Sequence, residues 1–146
     1  MTEFELLEKE SSDAGLSERT VANPAQAASA PRAPKRIVIT DDDAGVLEVM
    51  SDWLTAAGHE VISFNEFEAA KSYLFMHKPD VLITDVRLGA FNGVQLAMLA
   101  NRDTPGTIAI VLTGFDDPVI RKEATMAGAL YFVKPVKLEQ LLDIIR

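Results

Sequence analysis

Five short apolar runs recur along the chain from residue 37 onward and constrain its fold more than any other feature: 37–40, 61–64, 81–84, 108–113 and 130–133. Longer stretches of helical periodicity separate them. Each run is apolar at successive positions rather than alternate ones, as a parallel strand covered on both faces by helices must be. Short strands alternating with helices are βα units, and right-handed crossovers wind such units into one doubly wound α/β sheet. The run "VISF" is the least continuous and reads as an edge strand.

Helix punctuation supports the alternation. Val46, Met50, Trp53, Leu54 and Ala57 recur at helical spacing and stop at Gly58, a C′ residue. Asn65 with Glu68 three residues on resembles a capping box for the second helix, which must end before Pro79. Asp117 and Pro118 read as N-cap and N1 of the fourth helix, closed by Gly128.

A chain of 146 residues with 48% hydrophobic content fills one core. Residues 1–34 differ from the rest in being poor in large apolar side chains, and read as a disordered arm ahead of a single domain at 35–146. Phe4, Leu6 and Leu7 in that arm form either a short partner-binding helix or a frayed terminus. With no cysteine, neither a disulfide framework nor a thiolate zinc site is available. The acidic N-terminus and the lack of an apolar run of about 20 residues argue against a signal peptide or membrane span, so a cytoplasmic location is expected. A net charge of −8 argues against direct nucleic-acid binding.

In doubly wound sheets function gathers at the carboxyl ends of the strands. Here the first strand ends in Asp41 and Asp42, the third in Asp85, the fourth in Thr113 and the fifth in Lys134. Three carboxylates beside one ammonium leave a formal −2, a costly arrangement that a divalent cation relieves. An all-oxygen set favours Mg2+ over zinc. Asp85, with a hydroxyl and an ammonium in reach, is the candidate nucleophile toward phosphorus. Gly114 leaves room for a phosphate, and Pro135 is a candidate for a cis bond.

The segments "IVITDDD", "VLITDVRLGAFNG", "IVLTGF" and "MAGALYFVKP" resemble, in order and spacing, the strand-end motifs of the response-regulator receiver family of two-component signalling. The resemblance covers roughly residues 35–146 and implies a flavodoxin-like (βα)5 fold with strand order 2-1-3-4-5. It further implies Asp85 as phosphoacceptor, Asp41 and Asp42 as the Mg2+-holding pair, and the backbone carbonyl of Arg87 as a third protein ligand. Thr113 and Lys134 match the phosphoryl-contacting residues, Tyr131 the switch aromatic and Gly93 the glycine that closes the loop after the phosphorylation site. The implied partners are a sensor histidine kinase or histidine phosphotransfer protein and a downstream protein target, with a phosphorylation-dependent homodimer as a further option. Gly89 stands where the family usually has Pro, which predicts a looser loop after Asp85. The last helix reaches Arg146, so no output domain is expected after it.

Other readings compete residue by residue. Asp43 is explained by a helix N-cap, and Asp116 and Asp117 by a capping turn. His59 and His77 fall near helix ends away from the acidic rim; Trp53, Phe115 and Met126 read as packing residues. The fourth helix has a thin apolar stripe of Val119, Ile120, Ala124 and Ala127 and is the expected moving part. An enzyme alternative is a haloacid-dehalogenase-like phosphohydrolase, with Asp41 as nucleophile and Asp43 as acid/base; the missing acidic pair after Lys134 and the missing cap domain argue against it. A third alternative is a receiver-like module that binds partners without phosphorylation.

Overall fold

The computed structural model describes residues 33–146; the expectations for the N-terminal arm and for Phe4, Leu6 and Leu7 lie outside the described residues. Chain order is β1 Arg36–Thr40, α1 Ala44–Ala56, β2 Glu60–Phe64, α2 Phe67–His77, β3 Val81–Asp85, the two-residue strands β4 Arg87–Leu88 and β5 Phe91–Asn92, α3 Val94–Asp103, β6 Ile108–Thr113, α4 Pro118–Met126, β7 Leu130–Val133 and α5 Leu138–Ile145. Five strands form one parallel sheet in the order β2-β1-β3-β6-β7. With the small β4-β5 hairpin set aside, this is the expected 2-1-3-4-5.

Side-chain alternation along the strands divides the core into two layers. Ile37 and Ile39 of β1, Val81 and Ile83 of β3 and Ile110 and Leu112 of β6 pack against α1 and α5. Val38 and Leu82 face α2 and α3, while Ala109 and Val111 face α3 and α4. Both faces of β3 are therefore covered and every one of its residues is buried. β2 and β7, each paired on one side only, have no fully buried residue.

The helix boundaries follow the expected punctuation in most places. Gly58 closes α1 at φ +100° and Gly128 follows α4 at φ +75°, both in the left-handed region that glycine tolerates. Asp117 caps α4 by accepting the Val119 N–H, and Asp43 caps α1 by accepting those of Gly45 and Val46. The capping box at Asn65 and Glu68 does not form: the N-cap of α2 is Glu66, without a side-chain capping bond. Starting the helix at Phe67 aligns Phe67, Ala70 and Leu74 on the core face, and Phe67 stacks on Phe91 at 4.7 Å between centroids. Burial of that aromatic outweighs one capping bond, worth about 1 kcal/mol.

Three packing expectations are corrected. Phe115 is 79% exposed and Met126 75% exposed. Phe115 stands in the β6–α4 loop, and Met126 lies two residues, roughly 200° of helix turn, from the buried Ala124. Val119 is also 63% exposed, so the stripe that holds α4 narrows to Ile120, Ala124 and Ala127. Trp53 is in the core as expected.

Candidate functional site

The parallel sheet brings the carboxyl ends of β1, β3, β6 and β7 to one rim, and a cavity of about 510 Å³ opens there. Its lining includes Asp41, Asp42, Asp85, Arg87, Thr113 and Lys134. Carboxylate oxygens of Asp41, Asp42 and Asp85 lie within 4.8 Å of one another. The Lys134 ammonium donates to Asp41 Oδ2 at 2.9 Å and pairs with Asp85 Oδ1 at 3.2 Å. Sequence separations of 93 and 49 residues are closed here by bringing the strand ends to one rim, with the Lys134 side chain reaching back from β7 toward β1 and β3.

Asp41 and Asp85 are only 4% and 8% exposed, whereas Asp42 is exposed. Burial raises the pKa of Asp41, partly offset by the Lys134 charge, and the Asp85 charge pushes it up further. Burial likewise raises that of Asp85, and Lys134 again opposes the shift. Two buried acids sharing one ammonium, with a third acid beside them, make an under-neutralised oxygen cluster that a small divalent cation fits. Each buried carboxylate also accepts a backbone N–H, Asp41 Oδ1 from Asp43 at 2.9 Å and Asp85 Oδ2 from Arg87 at 3.2 Å.

Beneath the acids runs a polar chain that the sequence reading did not single out. The buried Thr40 hydroxyl donates to Thr84 Oγ1 at 2.6 Å, and the Thr84 hydroxyl donates to the Asp85 carbonyl at 2.9 Å. A threonine at each of two strand ends, "IVIT" and "VLIT", was the available signal. Gly93 closes over the same point: its N–H donates to the Val86 carbonyl at 2.7 Å, and a Cβ here would collide with the Asp85 carbonyl oxygen. Between them, Gly89 at φ +62° turns the β4-β5 hairpin, a conformation closed to Pro. The loop after Asp85 is therefore a hairpin with Leu88 buried rather than a loose segment.

Thr113 is buried, and its hydroxyl donates to the Phe115 carbonyl at 3.0 Å. Tyr131 is half-buried, its hydroxyl held by Asp116 and Asp117 at the start of α4. The Lys134–Pro135 bond is cis, as expected for that proline. Asp43 is engaged as a helix cap. Neither His59 nor His77 lines the cavity: His59 Nδ1 accepts the Lys35 N–H at 3.0 Å, and His77 stacks on Tyr73.

A doubly wound sheet with a carboxylate cluster, a hydroxyl and an ammonium at one rim defines a phosphate-handling α/β domain. The response regulator receiver domain model matches residues 37–146, and the chain belongs to that family. It is 30% identical over 111 residues to response regulator protein FleR of Pseudomonas aeruginosa, covering 75% of this chain and 24% of FleR. It is also 30% identical over 112 residues to chemotaxis protein CheY of Thermotoga maritima, covering 75% of this chain and 92% of CheY. The crystal structure of a CheY-like receiver domain protein from Methanospirillum hungatei superposes with a TM-score of 0.73 at 28% identity, covering 77% of this chain and 91% of that one. Residues 37–146 are thus a receiver domain of two-component signalling, a class of signalling domain phosphorylated on aspartate that interacts with protein partners. Among the described residues no helix is long and apolar enough to cross a membrane.

Proposed function

We propose that residues 35–146 act as one receiver unit that takes a phosphoryl group onto Asp85 from the phosphohistidine of a kinase or phosphotransfer protein. The observation that carries this reading is the placement of one ammonium 2.9 Å from Asp41 and 3.2 Å from Asp85 inside a cavity that Thr113 also lines. An Asp85 carboxylate oxygen forms the new P–O bond as the donor's P–N bond breaks, and the imidazole leaves with a proton. Asp41, Asp42, Asp85 and the Arg87 carbonyl would hold Mg2+, which would supply positive charge to offset the acids and the incoming phosphate. Lys134 pairs with a phosphoryl oxygen, and the Thr113 hydroxyl turns to donate to another.

The output follows from the same contacts. Once Thr113 turns toward the phosphoryl group it gives up the Phe115 carbonyl, and the loop carrying the Tyr131 partners is free to rearrange. Tyr131 and α4, which is anchored by only three apolar side chains, are the parts that move. The surface of α4 and α5 then either meets a downstream protein or passes the phosphoryl group on in a relay. A homodimer is a further use of that surface; nucleic acid and membrane are not its partners. Against the hydrolase alternative stands the use of Asp43 Oδ1 as the α1 cap, where it accepts the Gly45 and Val46 N–H groups.

The test is intact mass after incubation with acetyl phosphate, with and without Mg2+. One phosphoryl adduct that requires Mg2+ and is absent from Asp85→Ala supports the reading. An adduct that persists in Asp85→Ala but is lost in Asp41→Ala would move the nucleophile to Asp41.

A further inference from the structure

The Tyr131 hydroxyl joins β7 to the first turn of α4. It accepts the Asp117 N–H at 3.1 Å and donates to Asp116 Oδ1 at 3.2 Å. The Arg121 guanidinium lies 4.6 Å from the ring centroid on its face and donates to the same Asp116 oxygen at 3.0 Å. Asp116 and Arg121 therefore close a ring of contacts around one aromatic, and an arginine over a ring adds attraction to the packing. Neither residue lines the cavity at Asp85, so any influence on it runs through the tyrosine and the loop.

That loop is held at its other end by Thr113, whose Oγ1 both donates to the Phe115 carbonyl at 3.0 Å and accepts the Phe115 N–H at 3.2 Å. Residue 116 follows directly. A Thr113 hydroxyl drawn toward a group on Asp85 must release Phe115, and the backbone that carries Asp116 and Asp117 is then no longer fixed beneath the Tyr131 hydroxyl.

We propose that Asp116 and Arg121 are positioning residues for phosphoryl acceptance: they clamp Tyr131 against the start of α4 in the unphosphorylated domain, and opening the clamp favours phosphorylation. The inference rests on Asp85 being the phosphoacceptor. Linkage makes the effect reciprocal, so whatever factor phosphorylation contributes to opening the clamp, removing the clamp returns to phosphoryl binding.

The test uses beryllofluoride with Mg2+ as a stable stand-in for a phosphoryl group on a carboxylate. The sequence has two tyrosines, so protein labelled with 3-fluorotyrosine gives two fluorine signals, with Tyr73 as internal reference. Arg121→Gln and Asp116→Ala are each expected to lower the beryllofluoride midpoint by about fivefold. In the free protein both shift the Tyr131 signal toward its bound position and leave Tyr73 in place. Arg121→Lys, which keeps a cation over the ring, is expected to stay within about twofold of wild type. A role in stability alone would change the melting temperature without moving the Tyr131 signal. A wild type that titrates while both variants match it in midpoint and in Tyr131 signal overturns the clamp and leaves Asp85 as phosphoacceptor. A wild type that does not titrate overturns the phosphoacceptor reading and the clamp together.

Discussion

Gly93→Ala measures how tightly the backbone behind the acidic rim is packed. Gly93 has an ordinary helical conformation at φ −62°, so alanine meets no dihedral strain there. Its methyl would instead collide with the Asp85 carbonyl oxygen and stand 2.5 Å from Thr84 Oγ1. Neither atom is the free end of a flexible chain: one is backbone, and the other is held at 2.6 Å and 2.9 Å by Thr40 and the Asp85 carbonyl. Overpacking against such neighbours costs roughly 1–3 kcal/mol, and loss of the Gly93 to Val86 hydrogen bond adds about 1 kcal/mol. The expected destabilisation is about 3 kcal/mol, a fall in melting temperature of about 12 °C for a domain of this size. Denaturant titration of the far-ultraviolet signal gives the free energy, and Gly106→Ala is the control, since a Cβ there meets nothing within 4 Å. That control should change stability by less than about 0.5 kcal/mol. Displacing the Asp85 carbonyl also tilts its carboxylate, so the acetyl phosphate reaction should slow on the order of tenfold or more. A Gly93→Ala protein as stable as the Gly106→Ala control would refute the reasoning, because it would mean the strand end relaxes freely.

Other expectations concern charge. Mg2+ at about 100 times its dissociation constant should stabilise the folded domain by about 2.7 kcal/mol, read as a melting shift that Asp41→Asn and Asp85→Asn reduce or abolish. Because burial raises the folded pKa of Asp85 above its ordinary 3.8, the native state binds more protons than the unfolded chain between those two values, and stability falls as pH rises through that window. Without added metal, Asp85→Asn should therefore be more stable than wild type at pH 7, and the two should converge below the ordinary pKa; a variant less stable at pH 7 would contradict this. Lys134→Met strips the ammonium from two buried acids and should cost roughly 3 kcal/mol at pH 7, with partial recovery in acid as the carboxylates protonate. Asp117→Ala removes the α4 cap and should cost about 1 kcal/mol, seen in the denaturation midpoint and in faster amide exchange across α4.

The fold and the acids of the rim were legible because both are written locally. A parallel strand buried on two faces takes polar residues only where partners meet them, as Thr40 meets Thr84 and Lys134 meets Asp85, so the change from apolar to polar at Thr84 and Asp85 marks the strand's carboxyl end. Glycine at 58 and 128 and the Asp117-Pro118 pair are decisions of single residues on their own backbone. Predictions failed where partners distant in sequence compete. Asn65 had the right neighbours for a cap, but the stacking of Phe67 on Phe91, 24 residues away, set where α2 begins. Phe115 and Met126 are apolar enough for a core, yet one lies in the loop at the cavity and the other opposite the covered face of α4.

The sequence by itself determined the alternation of strands and helices and which chemical groups stand at the strand ends, because hydrophobic period and backbone preference act over a few residues; the strand order was legible only through the family resemblance. Only the tertiary structure decided that Lys134 lies between Asp41 and Asp85, that Gly93 presses on the Asp85 carbonyl, and that Arg121 covers Tyr131. Distances between groups dozens of residues apart depend on how helices of particular bulk seat against the sheet, and no local rule contains that sum.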